Sequence, residues 1–171
     1  MKKIIDNWYQ NNMTSLTSYL EDAVYCNDRS IYQNNVNNLG GWNKSHSTSS
    51  NYYLKFKNYN GGDLTCANVT DRFTTGNTQA RLTYPVGLLT EKEADLMDTS
   101  TYAKTTQYWW LGSPYVFSDG VANSYSVYSS GGNGGNSVGR AFGYRPSVSL
   151  ASIVEMTGDG TMDSPYIVKT N

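Results

Sequence analysis

The chain has 171 residues, enough for one domain with its own core, and a formal net charge of -1, with Lys and Arg scattered, which excludes a basic nucleic-acid-binding face. No run of about 18 apolar residues occurs, so nothing reads as a membrane span. Charged residues are only 16% while Tyr reaches 15, a balance that with many Asn and Ser suits an exposed, extracellular-type β-rich surface.

Met1-Lys2-Lys3 leads into Ile4-Ile5-Asp6 and not into a signal-peptide apolar region, so the chain reads as a fragment of a longer surface protein whose export signal or anchor lies upstream. Residues 3–24 form an amphipathic pattern. Ile5, Tyr9, Met13, Leu16 and Leu20 recur at steps of four and three, with Ile4 and Trp8 widening the stripe, which predicts one helix lying against a sheet. Between 27 and 71 the pattern dissolves into Asn, Ser and Gly. Its clearest strand-like piece is Tyr52-Tyr53-Leu54-Lys55-Phe56, and Asp28 and Arg29 suit local loop hydrogen bonds or a salt bridge.

Cys26 and Cys66 can join in a disulfide across a loop of about 40 residues, or stay as two buried thiols. Neither has a second Cys or His at metal spacing, and His46 is the only histidine, so no metal, cofactor or Cys-His chemistry is expected. Downstream, Leu82-Thr83-Tyr84-Pro85-Val86-Gly87-Leu88 is a short apolar approach whose proline suits a sheet edge or strand start. Thr90-Glu91-Lys92-Glu93 is a capping box with Leu89 placed to staple onto Ala94, and predicts a second helix over 91–97.

After Tyr102 the pattern turns to strand at 108–111, 122–128 and 144–150, with Asp119-Gly120 and 131–135 as turns. In Ser147-Val148-Ser149-Leu150 alternation predicts one buried face. Gly158-Asp159-Gly160 is a turn before a last strand at 165–168. Two helices followed by strands predict an α+β domain, with helices packed on a mainly antiparallel sheet and much irregular loop, over the single unit 1–171. Trp109 and Trp110 point to opposite faces of their strand, one into the core and one toward solvent. Arg145 is expected to bridge loop carbonyls, with binding of an anionic ligand as the alternative.

One segment is compositionally apart. From Gly112 to Tyr144 there is no Lys, Glu, Gln, Met, Trp, Thr, Ile or Leu, and every residue can be encoded by a codon ending in C or T. That restriction remains when the first two bases of Asn-type codons are randomised. The Tyr, Ser, Gly and Asn mixture is also that of antibody paratopes, where Tyr supplies rigid contact area and the small polar residues adaptable hydrogen bonds. A Gly/Ser-rich connector is the alternative, but it would not carry Tyr115, Phe117, Tyr125, Tyr128, Phe142 and Tyr144.

Tyr108-Trp109-Trp110-Leu111-Gly112-Ser113-Pro114, the variable stretch and Gly143-Tyr144-Arg145-Pro146-Ser147-Val148 together resemble the carboxy-terminal region of variable proteins diversified by retroelements in bacteria and phages, such as phage tropism determinants. Tyr25-Cys26-Asn27-Asp28-Arg29-Ser30 and the 82–90 segment look like those of surface-type proteins of gut Firmicutes. The resemblance implies a C-type lectin-like fold at a cell or virion surface, with a protein or glycan ligand held on the variable residues. Calcium-using lectins of this fold carry Glu-Pro-Asn or Gln-Pro-Asp with Trp-Asn-Asp, whereas this chain has Trp42-Asn43-Lys44. Formylglycine-generating enzymes share the fold but need late cysteines, and none follows Cys66.

The expected function is therefore non-enzymatic ligand recognition. Its expected contacts are Tyr115, Phe117, Asp119, Asn123, Tyr125, Tyr128, Asn133, Asn136, Arg140 and Phe142, framed by Trp109, Trp110, Arg145 and Pro146. Tyr115, Asn123, Tyr125, Tyr128 and Asn136 should then be exchangeable within the codon set without loss of fold. Asp63, Asp71, Asp95, Asp98 and Asp119 show no spacing that builds an acid pair for hydrolysis. The alternative reading is a structural or pilin-like module of a bacterial surface appendage, packing on a neighbouring subunit and able to self-associate.

Overall fold

The computed structural model describes residues 1–28, 52–53, 64–97, 105–118, 121–161 and 163–169. Helix α1 covers Lys2–Asn12 and buries Ile5 and Tyr9. It is shorter than the 3–24 pattern predicts. Asn12 Nδ2 donates to the Trp8 carbonyl at 2.7 Å and the Thr14 hydroxyl to the Gln10 carbonyl at 2.8 Å, so polar side chains compete with the backbone at its end. A 3-10 turn over Thr14–Tyr19 follows, and Leu20 leaves the helix altogether as part of β1, Leu20–Glu21. Ile4 is 52% exposed, so the buried stripe is narrower than read.

Strand β2, Tyr25–Cys26, is held twice. The Cys26–Cys66 disulfide ties it to the chain before the 3-10 turn Val69–Asp71, and β4, Arg72–Phe73, pairs with it antiparallel. The Arg72 Nε donates to the Cys66 carbonyl, which fixes the same corner. Between them in sequence, β3, Tyr52–Tyr53, joins the central sheet. Of the predicted 52–56 strand, the rest lies outside the described residues, as do Arg29, the 42–44 tripeptide and His46. The 82–88 approach forms no strand beyond a bridge of Gly87 to Ser147, but Leu82, Val86 and Leu88 are buried.

Helix α2 runs over Glu91–Leu96 with both halves of the capping box made: Thr90 Oγ1 accepts from the Glu93 amide, and Glu93 Oε2 accepts from the Thr90 amide. The central sheet then takes β5, Trp109–Ser118, β6, Val121–Val127, and β7, Asn133–Ser137, in the order β3-β5-β6-β7. β5 continues past its predicted end at Leu111. Its register shifts on either side of Pro114, irregularities that let a residue without an amide proton sit inside the strand. Strand β7 corrects the reading of 131–135 as turn: only Gly131, at φ 94, has a turn conformation, and Gly134 and Gly135 pair with Ser126 and Tyr125.

β8, Gly143–Tyr144, runs parallel to the start of β5. Pro146 supplies no amide for a ladder, and the predicted 144–150 strand divides into β8, the Ser147 bridge and β9, Ser149–Leu150, which pairs with β1. Val148 packs on the core, yet Leu150 is 38% exposed, so the alternation holds only in part. A ribbon of β10, Met156–Thr157, and β11, Ile167–Val168, closes the chain, with Gly158 and Gly160 at positive φ in its turn.

The result is a mixed α+β fold with two cores, one on each side of the central sheet. Trp109, Leu111, Tyr125 and Val127 pack with Ala94 of α2 on one side. Trp110 packs with Ile5 and Tyr9 of α1 and with Val86 and Leu88 on the other. The two tryptophans do face opposite ways, but each is only 2% exposed, because a helix covers either face. Among the described residues no helix is long and apolar enough to cross a membrane.

Candidate functional site

Register decides how the ten expected contacts are distributed. Paired residues share a face, so Tyr125 with Gly135 and Val127 with Asn133 lie on the α2 side, while Trp110, Ser126 and Gly134 lie on the other. The expected set is therefore split between two faces.

On the α2 side Tyr125 departs from its expected place on the displayed surface: it is 6% exposed, with the Tyr115 ring edge-on at 4.9 Å. A Cβ on Gly135 would meet that Tyr115 ring at 2.0 Å, so the glycine is what lets the ring lie on β7. Asn133 Nδ2 donates to Asp95 Oδ1 at 2.5 Å, tying β7 to α2. Asn123 is half-buried and donates to the Val121 carbonyl at 3.3 Å.

The opposite side carries a chain of rings. Tyr108 lies 5.0 Å from both Tyr128 and Phe142, and Phe142 lies 4.7 Å from Trp110. Tyr128 reaches across Gly134, where a Cβ would meet its hydroxyl at 2.0 Å. Asn136 Nδ2 donates to the buried Ser126 hydroxyl at 2.9 Å. Tyr128, Asn136 and Phe142 are half-buried, and Arg140 is exposed in the turn after β7. Phe117 is paired through its backbone to Tyr52; its side chain and Asp119 lie outside the described residues. Tyr108, absent from the expected set, joins this cluster because it stands two residues before Trp110 on one strand face, a period-two signal present in the sequence.

Arg145 departs from its expected role. Its Cζ lies 5.1 Å from the centre of the Trp109 ring, and among the described residues no carbonyl or carboxylate accepts from its guanidinium. It lines a cavity of about 230 Å³ with Thr105, Thr106, Gln107, Tyr108, Trp109, Gly143 and Tyr144. A second cavity, about 280 Å³, opens between α1 and the β2-β4 ribbon and is walled by Ile5, Tyr25, Phe73, Leu82, Val86 and Leu88, among others.

An acidic pair under α2 was not legible from the aspartates. Glu91 is 6% exposed and its Oε2 is buried without a hydrogen-bond partner among the described residues. Burial, then the neighbouring Asp95 carboxylate, push its acid up to about 7, with Lys92 opposing weakly. Burial likewise raises the Tyr125 phenol, and the charges of Glu91, Tyr115 and Asp95 add to it. An unfolded glutamate releases its proton near 4.5, so between that pH and about 7 the folded chain binds more protons than the unfolded one. Stability therefore falls as pH rises through this window and levels off above it. Glu91→Gln is expected to flatten that slope, read by urea unfolding at about pH 5 and about pH 7.5; an unchanged slope would place its cause elsewhere.

The chain matches no protein-family model, no curated protein and no solved structure.

Proposed function

We propose that this chain is a ligand-binding domain whose C-type lectin-like scaffold displays a diversifiable surface to a protein or glycan on a cell or virion. The observation that carries the reading is the division of labour inside the codon-restricted segment. Ser113, Val116, Tyr125, Ser126 and Val127 are buried, while Tyr128, Asn136, Arg140 and Phe142 keep exposed or half-exposed side chains, with Tyr128 and Phe142 beside the ring of Tyr108. Aromatic anchors within a polar rim are how adaptable recognition surfaces gain affinity. The Cys26–Cys66 disulfide suits an oxidising, extracellular setting.

The test begins with a glycan and surface-protein binding screen of the parent. Tyr128, Asn136 and Arg140 are then exchanged together for other residues of the codon set. Retained cooperative unfolding with lost binding supports the reading, and unchanged binding moves the site elsewhere. A neighbouring reverse transcriptase, with a near-copy of the segment's coding sequence differing only at adenines, would establish diversification.

A second reading, a structural module packing on a neighbouring subunit, draws on the terminal ribbon and its approach, where Ile153 is 84%, Tyr166 61% and Ile167 61% exposed. Sedimentation distinguishes it: concentration-dependent self-association lost in Ile153→Asp supports a module, and a monomer at all concentrations opposes it.

A further inference from the structure

A half-buried arginine whose guanidinium finds no carbonyl or carboxylate acceptor among the described residues is an uncommon arrangement, because arginine carries five N–H donors and buried polar groups are normally paired. Arg145 has this character. Its stem rises from the end of β8, and cation-π contact with the buried Trp109 ring holds the head at the wall of the 230 Å³ cavity. Trp109 cannot move away, since it is locked in the α2-side core. The head is thereby pre-positioned, which reduces the ordering cost of binding.

The other described residues of the rim are neutral. Thr106 and Gln107 are exposed, Thr105 and Tyr144 half-exposed, and together they offer hydroxyl and amide groups around the Arg145 head. Among the cavity's described lining residues there is no carboxylate to compete for the guanidinium.

We propose that this cavity is a carboxylate subsite that takes one acidic sugar residue, a uronic acid, with the carboxylate paired to Arg145 and ring hydroxyls meeting Thr106 and Gln107. The inference rests on the ligand-binding reading above and names the class of ligand. A planar carboxylate can accept two parallel N–H bonds from a guanidinium, and several sugar hydroxyls match a rim of neutral donors and acceptors better than they match an apolar wall. A cavity of this volume holds about one pyranose ring. An acidic peptide, whose carboxylate could pair with Arg145 in the same way, is the competing ligand that the test includes.

The test measures binding of D-glucuronate and a short oligouronate by saturation-transfer NMR and calorimetry, with D-glucose and an N-acetyl-aspartyl peptide alongside. Glucuronate binding that weakens about tenfold or more in Arg145→Gln and in Arg145→Lys, and that weakens with salt, is expected. Arg145→Lys keeps the charge but loses the paired donors, and it guards against a fold lost through Trp109. Gln107→Ala and Thr106→Ala, both exposed, provide a second arm: a several-fold loss of glucuronate affinity with unchanged melting. Glucose binding equal to glucuronate, peptide binding in preference to both, or affinity indifferent to Arg145 would each overturn the subsite. If a parent ligand found by screening depends on Tyr128 while glucuronate does not bind, the ligand-binding reading stands and the subsite alone fails.

Discussion

Tyr125→Ser is expected to lower stability by about 3 to 5 kcal/mol, the range for truncating a large buried aromatic side chain. The ring is 6% exposed and packed with Ala94, Trp109, Leu111 and Val127, and Tyr115 leans on it edge-on. Serine belongs to the same codon-restricted set, so the loss comes from position and not from a change of chemical class. Asn123→Ser, two residues earlier on the same strand and only half-buried, should stay within about 1 kcal/mol. Urea unfolding of the two variants decides it, and equal losses would remove Tyr125 from the core. The joint exchange of Tyr115, Asn123, Tyr125, Tyr128 and Asn136, which composition alone reads as tolerated, should cost cooperative unfolding. Tolerance belongs instead to the smaller set of Tyr128, Asn136 and Arg140.

Removing the Cys26–Cys66 disulfide should cost about 4 kcal/mol, the loop-closure entropy for a sequence separation of 40. Against a typical domain stability of about 5 to 15 kcal/mol, that is a large share. The bond also anchors the corner where β2 meets β4 and where Arg72 holds the Cys66 carbonyl, so the segment around 64–71 should loosen first. The expected result is a fall in the urea midpoint for Cys26→Ala/Cys66→Ala. The parent in reductant should show the same midpoint as the double variant; a parent indifferent to reductant would mean that the bond contributes no stability.

Both predictions turn on contacts between distant parts of the chain, and that is where sequence and structure divide. Features that depend on residues close together along the chain are legible in the sequence. Thr90 and Glu93 cap α2 because an amide and a carboxylate three residues apart satisfy each other wherever the helix sits. Gly158 and Gly160 turn the last ribbon because they accept positive φ, and Ile5 and Tyr9 share a buried face because four residues make about one helical turn. The α+β class followed from the same local patterns.

Which side of each strand meets another element depends on long-range packing, which no local pattern encodes. Alternation puts Trp109 and Trp110 on opposite faces, but both are buried because α1 and α2 cover the sheet from either side. The glycine-rich run 133–137 became a strand through pairing with β6 and through the Tyr115 and Tyr128 rings lying across Gly135 and Gly134, neither of which a glycine run announces. Glu91 acquired its raised acid constant because burial strips its carboxylate of water, a cost set by what packs over the helix, and Asp95 one turn along the same helix adds to it.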